Sequence, residues 1–160
     1  MTVKTMDPTT SVRDIMTPDP VSIGSGDSVA EAARTLDSND ISGLPVVDVQ
    51  DRVIGVVSRT DLVHRYLQGP GDGTDNRPSW TSFHEGFGDA FAEDAFGTVE
   101  EIMTPDPITV GPDDPISQIA ALMVEHRVHR LLVIDSSRHI MGVVTSMDLI
   151  EATYSTRKTS

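Results

Sequence analysis

Apolar residues fall along this chain in two rhythms, and each rhythm occurs twice. Val29, Ala32, Ala33 and Leu36 stand at i, i+3, i+4 and i+7, which lines up one face of an α-helix. Ile116, Ile119, Ala120 and Met123 repeat that spacing 87 positions later. Short runs rich in β-branched residues at 44–47 and 53–58, and at 131–134 and 140–145, predict strands. The polar stretches 48–52 and 135–139 between them predict turns. A brief strand at 21–23 and 108–110 and a last helix starting near Asp61 and Asp148 complete a β-α-β-β-α unit in each half.

The halves are copies. Residues 12–66 align with 99–153 without a gap, VRDIMTPDPVSI opening one and VEEIMTPDPITV the other. Later LPVVDVQDRVIGVVSRTDLV matches LLVIDSSRHIMGVVTSMDLI. A single unit of roughly 55 residues buries too little surface to be secure alone, so two copies packed through their sheets are expected to make one core. Asp27 and Asp114 are the expected N-caps of the first helix in each copy, with Pro115 at the first helical position. The chain then divides into a tail (1–11), a first repeat (12–66), an insert (67–98), a second repeat (99–153) and a tail (154–160).

The insert has its own character. Residues 68–76 are rich in Gly, Pro and Asp, a flexible composition. Trp80, Phe83, Phe87 and Phe91 follow at spacings of 3, 4 and 4, with Phe96 beyond. They are the only Trp and the only four Phe of the chain. A partly helical insert is expected, its aromatic stripe packed on its own module, on a dimer mate or on another protein.

Charge and composition narrow the function. The net charge is −13, and such a surface repels nucleic acid and anionic lipid. Arg outnumbers Lys ten to two, which fits either a GC-rich genome or a salt-adapted surface. No apolar run approaches the ~20 residues of a membrane span, and the start lacks an apolar signal centre, so a cytoplasmic location is expected. With no cysteine there is no thiolate catalysis. No G-x-S-x-G, Gly-rich phosphate loop or ordered His–carboxylate set appears, and His64, His84, His126 and His139 stand at no metal-ligand spacing. No catalytic residue, metal site or enzymatic activity is therefore expected.

The IMTPDP openings, the PVVD and LVID strands and the endings GVVSRTDL and GVVTSMDL, in order and twice, resemble the CBS-domain family, named after cystathionine β-synthase. The resemblance covers both repeats and leaves the insert outside. It implies an α+β fold in which tandem β-α-β-β-α repeats pack as a pseudo-twofold pair, sheets facing each other. It also implies clefts between the repeats that bind AMP, ADP, ATP or S-adenosylmethionine as regulatory ligands, with no cofactor required. Paired modules would form a homodimer, and the signal would pass in trans to an effector protein the sequence does not name.

Residue roles follow from the same resemblance. Ser58 and Thr145 would contact ribose or phosphate, and Asp61 and Asp148 would accept from ribose hydroxyls. A Ser or Thr three residues before an acid is also a helix-capping pattern, and both readings can hold together. Arg59 and Thr60 add a cation and a hydroxyl in the first copy, where the second has Ser146 and Met147. His129 and Arg130 resemble phosphate-contacting residues of nucleotide-sensing members, against the plainer reading of a solvated strand start. Val21, Ile23, Ile41, Ser42, Gly43, Leu44 and Pro45, with Ile108, Val110, Val128 and Leu131, are the candidate adenine pockets, against plain core packing. The alternative function is a ligand-free dimerisation or interaction module that uses the aromatic insert.

Overall fold

The structure is a computed structural model that describes residues 10–69, 91 and 96–158. After a 3-10 turn at Val12–Asp14, the chain forms β1 (Thr17–Pro18), β2 (Ile23–Gly24), α1 (Val29–Ser38), β3 (Gly43–Val47), β4 (Val53–Ser58) and α2 (Arg59–Gln68). Beyond the insert come α3 (Val99–Ile102), β5 (Thr104–Pro105), β6 (Thr109–Val110), α4 (Ile116–His126), β7 (Arg130–Ile134), β8 (Ile140–Thr145) and α5 (Ser146–Lys158). The fold class is the expected α+β, with two four-stranded sheets ordered β2-β3-β4-β5 and β6-β7-β8-β1. In each sheet a parallel edge strand flanks an antiparallel hairpin.

The fourth strand of each sheet comes from the other copy's opening. β5, from the second IMTPDP, pairs antiparallel with β4, and β1, from the first, pairs with β8. The chain accordingly forms two compact units, one joining the described residues of Met1–Pro20 to those of Ile108–Ser160, the other Val21–Pro107. Backbone bonds hold each borrowed segment. Val12 N donates to Asp114 O at 3.0 Å and Arg13 N to Pro112 O at 2.9 Å, while Val99 N donates to Asp27 O at 2.8 Å and Glu100 N to Ser25 O at 3.0 Å. Gly55 and Gly142 permit the close approach. A Cβ at Gly142 would lie 2.6 Å from Met16 Sδ and 2.8 Å from Thr17 O, and one at Gly55 2.6 Å from Met103 Sδ and 3.0 Å from Thr104 O.

Each unit has its own core. In one, Val29, Ala32, Ala33 and Leu36 of α1 pack with Leu44, Val46, Val57 and Leu62. In the other, Ile116, Ile119 and Met123 of α4 pack with Leu131, Val133, Val144 and Leu149. The helical faces expected from spacing are thus the buried ones. The N-caps differ from expectation by one residue. Ser28 caps α1, its side chain accepting from Glu31 N, and Pro115 stands at the corresponding position of α4. The aspartates turn backward instead, Asp27 accepting from Gly24 N at 2.9 Å and Asp114 from Gly111 N at 2.8 Å, so each closes the preceding turn. Pro115 has no side-chain donor or acceptor, and the first free N–H of α4, from Ile116, is met by Thr10 O at 3.3 Å.

Part of the aromatic insert joins the first core. Phe91 and Phe96 are each 2% exposed and surround Tyr66 of α2, Phe96 stacked at 6.0 Å and Phe91 edge-on at 5.6 Å. Arg65 Nε donates to Phe96 O at 2.9 Å and fixes the approach. Burial pushes the Tyr66 hydroxyl above its ordinary pKa. Packing on its own module is therefore the reading that holds for these two rings. Trp80, Phe83 and Phe87 lie outside the described residues.

Candidate functional site

Each repeat brings its candidate residues to one place, where β3 or β7 starts and the last helix begins. Arg59 N donates to Ser42 O at 3.0 Å, and Ser146 N donates to His129 O at 2.8 Å. Register then sets Gly43 opposite Ser58 and Arg130 opposite Thr145. Directly opposed residues project to the same sheet face, so Arg130 and Thr145 share one. It is the face away from the helix-packed core, because their neighbours Leu131 and Val144 belong to that core.

The Ser/Thr–Asp pairs cap helices. Asp61 Oδ2 accepts from Ser58 N at 2.7 Å and Ser58 Oγ at 2.9 Å, and Asp61 N donates back to Ser58 Oγ at 3.3 Å. Asp148 Oδ2 accepts from Thr145 N at 2.8 Å, and Asp148 N donates to Thr145 Oγ1 at 3.2 Å. These bonds use Oδ2 alone. Oδ1 of each aspartate accepts no bond from the described residues, so each carboxylate keeps an oxygen for a hydroxyl.

The cations behave differently. Arg59 does not present its guanidinium at the helix start. Its Nε donates to Ile41 O at 3.0 Å and its Nη2 to Leu36 O at 3.2 Å, and Nη2 lies 3.6 Å from Asp37 Oδ1. The C-terminal end of α1 leaves carbonyls without helical partners and carries a partial negative charge, and Arg59 answers both. His129 and Arg130 are exposed, and neither side chain makes a hydrogen bond or ion pair with the described residues. Thr60 and Met147 are exposed at equivalent positions, Met147 by 58%.

The apolar candidates separate by depth. Ile23, Leu44, Val110 and Leu131 are at most 4% exposed and belong to the two cores, and Pro45 is buried. The side chains of Ile23, Leu44, Val110 and Leu131 point into those cores, and the packing reading applies to these four. Ile41, Ile108 and Val128 are half-buried at the rims of the cores. Gly43 is half-buried, and Ser42 and Val21 are exposed. Val21 precedes β2, which starts two residues later than expected.

Sequence reasoning missed one feature. An open pocket of about 200 Å³ is lined by Asp61, His64, Arg65 and Gln68 of α2 with Glu101 and Ile102 of α3. Its signal was legible, since 61, 64, 65 and 68 are a polar i, i+3, i+4, i+7 face, but His64 alone reads as plain surface. Among the described residues no group of His, Asp or Glu is arranged to hold a metal ion, and no helix is long and apolar enough to cross a membrane.

A duplicated α+β module with a capped Ser/Thr–Asp pair in each copy defines a class. This chain belongs to the CBS domain family, whose profile matches residues 12–68 and 99–155. It is similar to the CBS domain pair of protein MJ0100, solved in complex with 5′-methylthioadenosine and S-adenosyl-L-methionine. That likeness has 26% identity and a TM-score of 0.69 and covers 93% of this chain and 99% of that one. It is also similar to CBSX2, solved in complex with AMP, at 26% identity and a TM-score of 0.69, covering 92% of this chain and 98% of that one. Among curated sequences it is 29% identical over 142 residues to the L-aspartate semialdehyde sulfurtransferase of Methanocaldococcus jannaschii, covering 89% of this chain. The chain spans only 22–23% of the length of the first curated relatives it matches.

Proposed function

We propose that this protein is a regulatory CBS-pair module that binds an adenine nucleotide or related adenosyl ligand and passes the signal to a partner protein, with no catalysis of its own. The observation that carries the reading is the group Arg130, His129, Thr145 and Asp148. A guanidinium that makes no bond to the described residues stands opposite a helix-capping Thr–Asp pair, one of whose carboxylate oxygens likewise accepts no bond from them. Such a set offers a ribose acceptor and a phosphate cation together, and the first turn of α5 favours an anion. The adenine-containing ligands of the similar CBS pairs support the choice of ligand class. A ligand shifts a regulatory equilibrium only through its different affinities for two states, so the partner must read a change in the bound form. The test is calorimetry of the whole protein with AMP, ATP and S-adenosylmethionine. Binding by at least one of them supports the reading, and failure of all three at millimolar concentration overturns it.

A second reading has its own observation. On α5, Met147, Ile150 and Tyr154 are 58%, 60% and 66% exposed at i, i+3 and i+7, an apolar stripe on an outward helix face. A homodimer through this stripe would make the protein an interaction module. Light scattering of the wild type and of Ile150→Asp tests it: a dimer converted to monomer supports the stripe, and a monomeric wild type removes it.

A further inference from the structure

We propose that Met16 and Met103 are oxidation sites, at which a peroxide converts each thioether to a sulfoxide and loosens the borrowed strand that follows it. Neither residue belongs to the candidate ligand group around Arg130 and Asp148.

The two methionines hold the same place in the two units. Each stands in an identical IMTPDP segment, directly before the two-residue strand that completes the other copy's sheet. Met16 precedes β1 and lies against Gly142 of β8, and Met103 precedes β5 and lies against Gly55 of β4. A Cβ on either glycine would lie 2.6 Å from the sulfur, and 3.0 Å from Met16 Cγ or 3.1 Å from Met103 Cγ. Each methionine thus fills the space that a side chain on the facing strand would take. Met16 also packs against the core that contains Val144, and Met103 against the core that contains Val57. A ladder of two residues is shorter than an ordinary strand pairing, so the methionine is the main side-chain anchor of each borrowed strand.

Both side chains are half-buried, open enough for a small oxidant and packed enough for the change to be felt. A lone pair on the sulfur attacks one oxygen of hydrogen peroxide. The S–O bond forms as the O–O bond breaks, and the departing hydroxide takes the proton of the transferred oxygen and leaves as water. Sulfur gives up two electrons and the peroxide accepts them. The product carries a strong acceptor where the thioether was apolar. Apart from the methionine, the nearest atom that a Cβ on the glycine meets is a carbonyl oxygen, Thr17 O in one unit and Thr104 O in the other. Those contacts offer a sulfoxide no donor, so it turns to water and draws the side chain off the glycine. The other described methionines lack this setting. Met123 is buried, Met147 is exposed, and half-buried Met141 has Ile54 as its counterpart, so only Met16 and Met103 form an equivalent pair among the described residues.

The test treats the whole protein with hydrogen peroxide, maps sulfoxides by peptide mass spectrometry, and follows the melting temperature and amide exchange. Exposed Met147 is expected to oxidise first and to leave the melt nearly unchanged. Sulfoxide at Met16 and Met103 is expected to lower the melting temperature by about 5 °C or more and to speed exchange in the peptides covering 12–18 and 99–105. Methionine sulfoxide reductases of both epimer specificities are expected to restore both readings. The double variant Met16→Leu, Met103→Leu keeps the side-chain volume and is expected to hold its own melting temperature through the same treatment. Met16 and Met103 left unconverted once Met147 is fully oxidised overturns the assignment, as does conversion that leaves melt and exchange unmoved. An equal loss in the double variant also overturns it, because the damage then lies at Met123 or Met141. Should the double variant not fold, local exchange in the wild type and its reversal by the reductases decide alone.

Discussion

The two repeats are nearly the same backbone carrying different side chains. Among the described residues six non-glycine positions adopt left-handed backbone, and they fall into three pairs 87 apart: Asp19 with Asp106, Asp40 with Arg127, Asp51 with Arg138. The backbone bonds that hold the borrowed strands repeat at the same shift. Yet Arg127 and Arg138 sit where Asp is the easier residue, and the conformation persists. The difference teaches where two copies of one backbone are free to diverge. Paired sheets, capped helices and glycines at close approaches determine the shape twice over. The chemistry then varies at Gly43 against Arg130, Arg59 against Ser146, and Thr60 against Met147, all at one end of each sheet.

The largest asymmetry outside the sites is the aromatic cluster, and removing it should cost most. Phe96 is buried and stacked on Tyr66, whose counterpart in the second repeat is Thr153. Phe96→Ala is expected to destabilise by about 3–5 kcal/mol, the range for deleting a buried ring, and to lower the melting temperature by roughly 10 °C. Chemical denaturation checks it. A loss below about 1 kcal/mol would mean that the ring only rests on the first core and is no part of it.

The borrowed strands come next. Gly55→Ala and Gly142→Ala each push a methyl group into the opposing methionine and backbone carbonyl, and overpacking of this kind costs about 1–3 kcal/mol. The methionine tails can move, so the carbonyls decide the order. Gly142→Ala meets Thr17 O at 2.8 Å and should lose more than Gly55→Ala, which meets Thr104 O at 3.0 Å. Thermal melts of both variants measure the ranking, and equal or reversed losses would show that strand shifts absorb the contact.

Much of this was readable before any coordinates. The gapless alignment of 12–66 with 99–153 and the 3.6-residue spacing at 29–36 and 116–123 lead directly to the elements and to the buried helix faces. The strand exchange was not readable. IMTPDP is identical in both copies, so nothing in it tells whether it pairs with its own sheet or the other one. The caps were misplaced because Asp27 and Asp114 are good acceptors that found nearer donors in Gly24 and Gly111. The site was half legible. Ser58, Asp61, Thr145 and Asp148 are where the pattern put them, but the commitment of Arg59 depends on the distant carbonyl of Leu36, which no local motif reveals.

The capping pairs should separate the repeats by a smaller margin. Ser58→Ala and Thr145→Ala each remove an acceptor from the first turn of a helix, a loss of about 0.5–2 kcal/mol. Ser58 Oγ also donates to Asp61 Oδ2 at 2.9 Å, a bond without a counterpart among those formed by Thr145. Ser58→Ala is therefore the costlier change, and denaturation midpoints of the two variants should differ in that direction. Equal midpoints would reduce the extra bond to a geometric coincidence.

The smallest effect lies in the exposed hairpin turns. Asp48 is held below the ordinary carboxylate value of 3.8 first by the N–H of Arg52, and Asp135 likewise by the N–H of His139. The second N–H on each comes from Gln50 or Ser137 at 2.8 Å. A carboxyl whose pKa is lowered on folding stabilises at pH values above its unfolded pKa, and the contribution disappears as the pH falls through the folded value. Asp48→Asn and Asp135→Asn should accordingly differ most from the wild type near neutrality and converge with it in acid below the ordinary carboxylate range. The repeats differ in the partner. Arg52 Nε donates to Asp48 Oδ2 at 3.0 Å and stays charged at every accessible pH, whereas His139 Nδ1 stands 3.5 Å from Asp135 Oδ2 and carries charge only when protonated. Removing the Asp48 carboxylate should therefore cost more than removing that of Asp135, since its partner is a guanidinium in direct hydrogen-bond contact. Denaturation midpoints followed from acid to alkaline pH measure this. Curves that stay parallel to the wild type would mean that the turns hold their shape through backbone geometry alone.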